Sequence, residues 1–380
     1  LNARLRFFAS CAPGLEDLLQ GELRALRMAR VERQVGGVYF EGRIEDAWTA
    51  NLHLRTAMRV LVRVARFEVG GEDDLYAGAR SVDWSQWLAP SGRLSVAAHT
   101  SQSALDHTLY VRQRTKDAIV DQFRERSGAR PDIDAEQPDL AVHVHLVKNR
   151  CTLLIDSSGA PLYLRGWRRQ QGRAPLSETL AAAIVLRSGW DRRAPLVDPF
   201  CGSGTLLVEG AWIAAGRAPG ALRAQFGFER WLGHDARGFE RVRVAARAAG
   251  EMPRKLVLRG SDLDPHALEA ARANFAAAGL EGAVQLERAD ARDFDPKRGW
   301  NACIVSNLPY GLRVGARGGL PELSELLRAF GARLRERAAG SKVALLCGSA
   351  ADARQLALPG AQELPLLNGG LDCRLVLAQL

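Results

Sequence analysis

No two of the six cysteines stand at zinc-finger spacing. Cys11, Cys151, Cys201, Cys303, Cys347 and Cys373 are scattered singly through 380 residues, which argues against a disulfide framework or a cysteine-based metal site. Reduced thiols and a cytoplasmic setting are expected. No run reaches the roughly 18 uninterrupted apolar residues of a membrane span. The start, Leu1-Asn2-Ala3-Arg4-Leu5-Arg6, has no apolar signal core, so neither export nor membrane insertion is expected. Histidine is sparse, and His143 and His145, on one face of a predicted strand, have no further ligands nearby in sequence; no metal is expected. No GxxxxGK[ST] phosphate loop occurs. The turn at Gly202-Ser203-Gly204 carries Leu207 where a dinucleotide fingerprint needs its third glycine. Nucleoside-triphosphate and nicotinamide chemistry both weaken.

What is present is ordinary for a globular chain, with 47% hydrophobic and 25% charged residues, and the length allows two or three domains. The net charge of +9 favours a polyanionic partner, RNA or DNA first, through phosphate contacts and counterion release.

Apolar spacing predicts a short strand over 4–9, a helix over 13–28, two strands within 31–40, a helix over 44–53 and a strand over 60–69. A mixed α/β stretch follows, with strands at 94–98, 140–146 and 152–156 around a long helix at 110–126. The run from Leu164 to Pro175 concentrates Arg, Gly and Pro and reads as an interdomain linker. Ser177 is placed to cap the next helix. Strands at 196–198, 255–262, 284–286, 302–305 and 342–346 then alternate with helices at 205–215, 265–278 and 322–337, and 369–377 reads as an added strand. Such alternation predicts a largely parallel sheet with ligands at the carboxyl ends of its strands.

Asp198, Asp262, Asp290 and Asn307 all fall at predicted strand ends. Asp198-Pro199-Phe200-Cys201-Gly202-Ser203-Gly204-Thr205 has the form of an acidic strand end feeding a glycine turn and a helix, where backbone can approach a cofactor. Asp262, followed by Leu263, suits the two hydroxyls of a ribose, whereas Asp264 before Pro265 suits a helix cap. Asp290, followed by Ala291, could receive an adenine amino group. Asn307-Leu308-Pro309-Tyr310 places an amide, a rigid proline and an aromatic ring together. Two acceptors, the Asn307 side-chain oxygen and the Leu308 carbonyl, could draw an exocyclic amine toward tetrahedral geometry, with Tyr310 stacking on a flipped base. Each signal has a bland counterpart: a tight turn, a surface acid or a proline-bearing β-turn. Cys201 and Cys303 lack a partnered base and are expected to pack against the sheet.

These residues resemble the THUMP-domain class I methyltransferases, and within them the enzymes that methylate guanine N2 in 23S ribosomal RNA. The resembling runs include Ala12–Leu19, Val35–Phe40, Val111–Phe123, Leu162–Trp167, Glu178–Ile184, Asp198–Leu207, Asn307–Arg313 and Asn368–Cys373. The resemblance implies a fold of class α/β, a Rossmann-like class I methyltransferase domain preceded by an α+β ferredoxin-like/THUMP module. The implied division is 1–45 ferredoxin-like, 46–157 THUMP, 158–175 linker and 176–380 methyltransferase. It implies S-adenosylmethionine as cofactor, with Asp198, Phe200, Gly202 and Gly204 around the methionine, Asp262 at the ribose and Asp290 at the adenine, and with Cys201, Ser203, Thr205, Leu263 and Ala291 also among the cofactor-binding residues. Asn307, Leu308, Pro309 and Tyr310 would hold the guanine, Asn307 also bordering the cofactor. The implied substrate is 23S ribosomal RNA or a large-subunit precursor. Most relatives have proline at the position of Leu308. The fused relatives continue into a second methyltransferase, an activity not expected of this chain. A tRNA guanine-N2 enzyme, an adenine-N6 enzyme and a binding protein with a vestigial site remain the alternatives.

Overall fold

The computed structural model describes residues 4–170, 176–297, 299–310 and 320–380, with backbone alone at 320 and 321. The end of the expected linker, 171–175, and the end of the Asn307–Arg313 run, 311–313, lie outside the described residues.

The amino-terminal half is built around one sheet. In chain order it comprises β1 (Leu5–Ser10), α1 (Glu16–Ala25), β2 (Ala29–Gln34), β3 (Gly37–Gly42), α2 (Ile44–His53), β4 (Arg59–Glu68), α3 (Glu72–Arg80), β5 (Arg93–Ser101), α4 (Thr108–Ser127), β6 (Asp132–Ile133), β7 (Leu140–Val147) and β8 (Arg150–Asp156). The strands lie in the order β2-β3-β1-β4-β8-β7-β5-β6, so β4 joins the first unit to the second by pairing with both β1 and β8. Period-2 alternation decides which face is covered. Leu140, Val142, Val144 and Leu146 of β7 are buried while Ala141, His143 and His145 between them are not. The buried set shares one core with Phe7, Val62, Leu19, Trp48 and Ile119. α1 ends earlier than apolar spacing predicts, and Arg27 just beyond it takes φ 58° in the turn to β2.

The carboxyl-terminal half comprises α5 (Glu178–Arg187), β9 (Leu196–Asp198), α6 (Thr205–Ala215), α7 (Ala236–Ala248), β10 (Leu258–Asp262), α8 (Pro265–Ala277), β11 (Val284–Arg288), β12 (Cys303–Asn307), α9 (Leu320–Arg337), β13 (Lys342–Cys347), α10 (Ala350–Gln355), β14 (Gln362–Asn368) and β15 (Leu371–Gln379). The sheet order is β11-β10-β9-β12-β13-β15-β14. The first five strands run parallel; β15 is antiparallel to β13 and β14. Central strands covered on both faces lose alternation, and Cys303 to Ser306 are all buried. The order reverses at β9, which has β10 on one side and β12 on the other; such a switch point is where the loops at strand carboxyl ends diverge and ligands bind in open α/β sheets. Ser177 caps α5, accepting from the Leu180 N–H at 3.4 Å, and Asp264 caps α8 ahead of Pro265.

The stretch expected to be a linker is, over 158–170, a strap anchored by the buried Ser158, Leu162, Arg165 and Trp167 between more exposed residues. Trp167 is fully buried, and Arg165 pairs with Glu209 of α6 at 3.3 Å with neither side chain more than 1% exposed. Arg165 also donates to the carbonyls of Leu162 at 2.8 Å and Arg55 at 2.5 Å, tying both halves together. Arginine content suggested exposure; ion pairing and carbonyl acceptors make burial affordable instead.

Candidate active site

Asp198 ends β9 and is 1% exposed. Its Oδ1 accepts from the Ser306 hydroxyl, at the end of the adjacent β12, and from the Phe200 N–H at 3.2 Å. Burial, with the Asp262 charge adding to it, pushes the Asp198 carboxyl up to about 7. Asp262 ends β10 and reaches across to the glycine turn: Oδ2 accepts from the Gly202 N–H at 2.8 Å and Oδ1 from the Asp264 N–H at 2.9 Å. Each of its oxygens keeps acceptor capacity for a further donor.

The turn itself is shaped by conformation and crowding. Gly204 takes φ +83°, and a Cβ there would lie 2.6 Å from Cζ of Phe275 in α8. The Ser203 carbonyl accepts from the buried Asn274 amide at 3.0 Å, and the same side chain accepts from the N–H groups of Arg169 and Gln170. Thr205 Oγ1 accepts from Arg168 at 3.1 Å, while Arg168 also pairs with Glu178 at 2.8 Å. The strap therefore grips the turn at two points. Asn274 and Arg168 escaped the sequence reading, although an asparagine on the buried face of α8, beside Ala270, Ala271 and Phe275, is a detectable signal.

The other expected residues divide. Cys201 is buried beneath the turn with its thiol pushed well up by burial, as expected of a packing residue rather than a nucleophile. Cys303 is likewise pushed up, to about 11, by burial. The Phe200 ring meets Phe330 of α9 edge-on at 5.0 Å. Leu263 is 57% exposed beside Asp262, and Ala291 is buried. Asp290 lies beyond β11, where its carboxylate is held by Arg292 at 2.6 Å, which keeps it below its ordinary range. It lines a cavity of about 270 Å³ with Gly260, Ser261, Phe294 and Trp300.

Asn307 ends β12. Its Oδ1 is buried and has no hydrogen-bond partner among the described residues. A buried amide oxygen left without a donor loses on the order of 1–3 kcal/mol, so the position is costly unless something else donates to it. The turn behind it is fixed, because the Leu308 N–H donates to the Leu346 carbonyl of β13 at 3.0 Å. Tyr310 is 4% exposed; its side chain packs on Gly348 and its hydroxyl accepts from Asn368 of β14 at 2.6 Å. In this arrangement the ring braces the turn and does not present an open stacking face. Among the described residues no group of three or more His, Cys, Asp or Glu could hold a metal ion, and no helix is long and apolar enough to cross a membrane.

A mostly parallel sheet with an antiparallel end, a glycine turn after its first strand and an Asn-Leu-Pro-Tyr turn after its fourth defines a class I methyltransferase. Residues 165–376 match the RMKL-like methyltransferase domain, 71–156 the THUMP domain and 6–61 the RlmL ferredoxin-like domain. The chain belongs to the RMKL-like methyltransferase family. It is similar to the ribosomal RNA large subunit methyltransferase K/L of Methylococcus capsulatus, 40% identical over 98% of this chain and 50% of that protein. The chain spans about half the length of the curated relatives it matches. Among solved structures it is similar to a putative methyltransferase complexed with SAH, at 29% identity and TM-score 0.89 over 100% of this chain and 99% of that one. A predicted N6-adenine-specific DNA methylase from Listeria monocytogenes is also 29% identical, at TM-score 0.87 over 98% and 96%.

Proposed function

We propose that this chain is an S-adenosylmethionine-dependent RNA methyltransferase acting on guanine N2 in 23S ribosomal RNA or its large-subunit precursor, in the cytoplasm. The observation that carries the reading is the buried Oδ1 of Asn307, without a hydrogen-bond partner among the described residues, at the end of the strand that pairs with the Asp198 strand. An N–H donor from an extruded base would satisfy it. The name of the Methylococcus relative supports the RNA class.

The residues present fit the cofactor. Asp262 retains acceptor capacity for ribose hydroxyls, and the turn from Phe200 through Cys201, Gly202, Ser203 and Gly204 to Thr205, with Asp198 beneath it, offers backbone at close approach for the methionine part. Leu263 would cover the adenine, with Asp290 and Ala291 at its edge once Arg292 yields. When bound, this group supplies an electrophilic methyl on a sulfonium. Asn307 Oδ1 and the Leu308 carbonyl would accept the two amine hydrogens and orient the nitrogen lone pair, while Pro309 and Tyr310 hold that turn rigid. Orientation carries the rate, and no general base is needed before transfer. The amino-terminal units, 1–45 and 46–157, would deliver the RNA, with 158–175 joining them to the catalytic unit 176–380.

The same acceptors suit adenine N6, a reading favoured by the name of the Listeria neighbour. Incubating ribosomal RNA from cells lacking the protein with the chain and labelled cofactor, then digesting to nucleosides, decides. Methylguanosine is expected; methyladenosine, or no transfer, would overturn the reading.

A further inference from the structure

α1 and α4 pack on one face of the eight-stranded sheet, where Leu19 and Ile119 join the core; the opposite face is for the most part only partly buried, with Leu61 and Leu154 buried at its middle. On that opposite face, a band of side chains crosses β3, β1, β4, β8, β7 and β5. Phe8 stands opposite Tyr39 on one side and Leu61 on the other, and Arg6 stands opposite Arg63. Beyond Arg63 the register passes through Leu154 to His143, and one row further on Arg66, Thr152, His145 and His99 are neighbours. The irregularity between Arg63 and Ala65 in β4 brings both Arg63 and Arg66 onto this face.

Two properties of the band point to one occupant. The first is charge. Arg63 and Arg66 have no ion-pair or hydrogen-bond partner among the described residues; burial works most against the charge on Arg63, Arg6 and Arg66 also repel it, and Tyr39 and Glu41 offset this in part. The acids at this edge already face arginines: Glu32 pairs with Arg6 at 2.5 Å, and Glu41 with Arg30 at 3.4 Å. An anion is the missing counterpart. The second is flat, polarisable surface. Phe8 and Tyr39, with centroids 4.8 Å apart, are only partly buried, and Arg6 lies 4.8 Å over the Tyr39 ring. Across the sheet His99 and His145 meet at 6.1 Å. Burial and the neighbouring imidazoles push His145 down to about 4, so its ring is uncharged near neutrality. From β3 to β5 the band spans five strand spacings, about 24 Å, the reach of a few unstacked nucleotides.

We propose that this open face binds single-stranded RNA flanking the target, with bases stacking on Phe8 and Tyr39 and on the histidine pair, and phosphates on Arg63 and Arg66. Duplex RNA does not fit, since its bases offer no free faces to stack. The inference rests on the RNA reading above and adds where a single strand is held.

The test measures binding of a fluorescent single-stranded oligonucleotide of about twelve nucleotides, and of a duplex of equal length, to the full chain by anisotropy. Tighter binding of the single strand is expected. Arg63→Glu with Arg66→Glu should weaken it about tenfold or more, and Tyr39→Ala about tenfold. Arg24→Glu with Arg43→Glu, an equal charge change on the helical side, should change it less than about threefold. Equal loss in both double variants, or preference for duplex, would overturn the proposal. Cofactor binding and methylation of ribosomal RNA keep the two readings apart. A chain that methylates RNA but keeps its wild-type RNA KM after Arg63→Glu/Arg66→Glu refutes only the binding face; one that neither binds cofactor nor methylates refutes the function.

Discussion

The Asn274 side-chain amide donates to the Ser203 carbonyl at 3.0 Å, joining the middle of α8 to the glycine turn 71 residues earlier. The same amide bonds the strap at Arg169 and Gln170, so one buried side chain fixes a cofactor loop and the chain entering the catalytic unit. Asn274→Ala leaves several backbone groups without partners. A loss of roughly 2–4 kcal/mol is expected, together with weaker cofactor affinity. Denaturant unfolding and calorimetric titration check this; an unchanged midpoint would remove Asn274 from both roles.

Removing the Asn307 acceptor should separate chemistry from binding. Asn307→Ala is expected to lower kcat by about a hundredfold or more while the cofactor Kd stays within about threefold. Single-turnover methylation and titration with the cofactor product read the two effects. A variant turning over at the wild-type rate would exclude the amide from the reaction.

The Asp198 carboxyl, pushed up to about 7 by burial, gives a pH dependence of definite sign. Between the ordinary value near 3.8 and about 7 the unfolded chain has released this proton and the folded protein retains it. The associated stability is full below the lower value and is lost as pH rises through the upper one. Asp198→Asn keeps an oxygen for Ser306 and Phe200 but cannot ionise. Its stability should therefore fall less than wild type from about pH 4 to about 7 in parallel denaturation series; equal slopes would contradict the assignment.

Two glycines separate strain from crowding. Gly216, at the end of α6, takes φ +70° with open space where a Cβ would go, whereas Gly204, at φ +83°, faces Phe275 at 2.6 Å. Gly216→Ala should cost about 1 kcal/mol from backbone strain alone. Gly204→Ala should cost about 2–4 kcal/mol and depress cofactor affinity, since the turn must move. Phe275→Leu in that background should restore part of the stability; no recovery would mean that strain, not the ring, sets the penalty.

The sequence made legible what depends on local pattern. Alternation in β7, the Asp264-Pro265 cap and the strand ends at Asp198, Asp262 and Asn307 follow from spacing and residue type. What it concealed depends on partners distant in the chain. Arg165 looks like a linker residue until Glu209 is beside it, and Tyr310 looks like a stacking platform until Gly348 and Asn368 occupy its surroundings. Pro365 and exposed polar positions hide strand β14 from the apolar pattern, as an edge strand permits. Position alone singles out Asp290, and the fold adds Arg292, whose guanidinium holds its carboxylate.

Strand β4 has a consequence for how this molecule can be divided. The ferredoxin-like match ends at 61 and the THUMP match begins at 71, yet Arg59–Glu68 starts inside the first match, runs through most of the gap, and is zipped to β1 on one side and β8 on the other. A scissor cut between the matched regions would leave either fragment with a bare, sticky border. Through β4 the two units share one unbroken sheet, so a stable excised front piece is expected to need both.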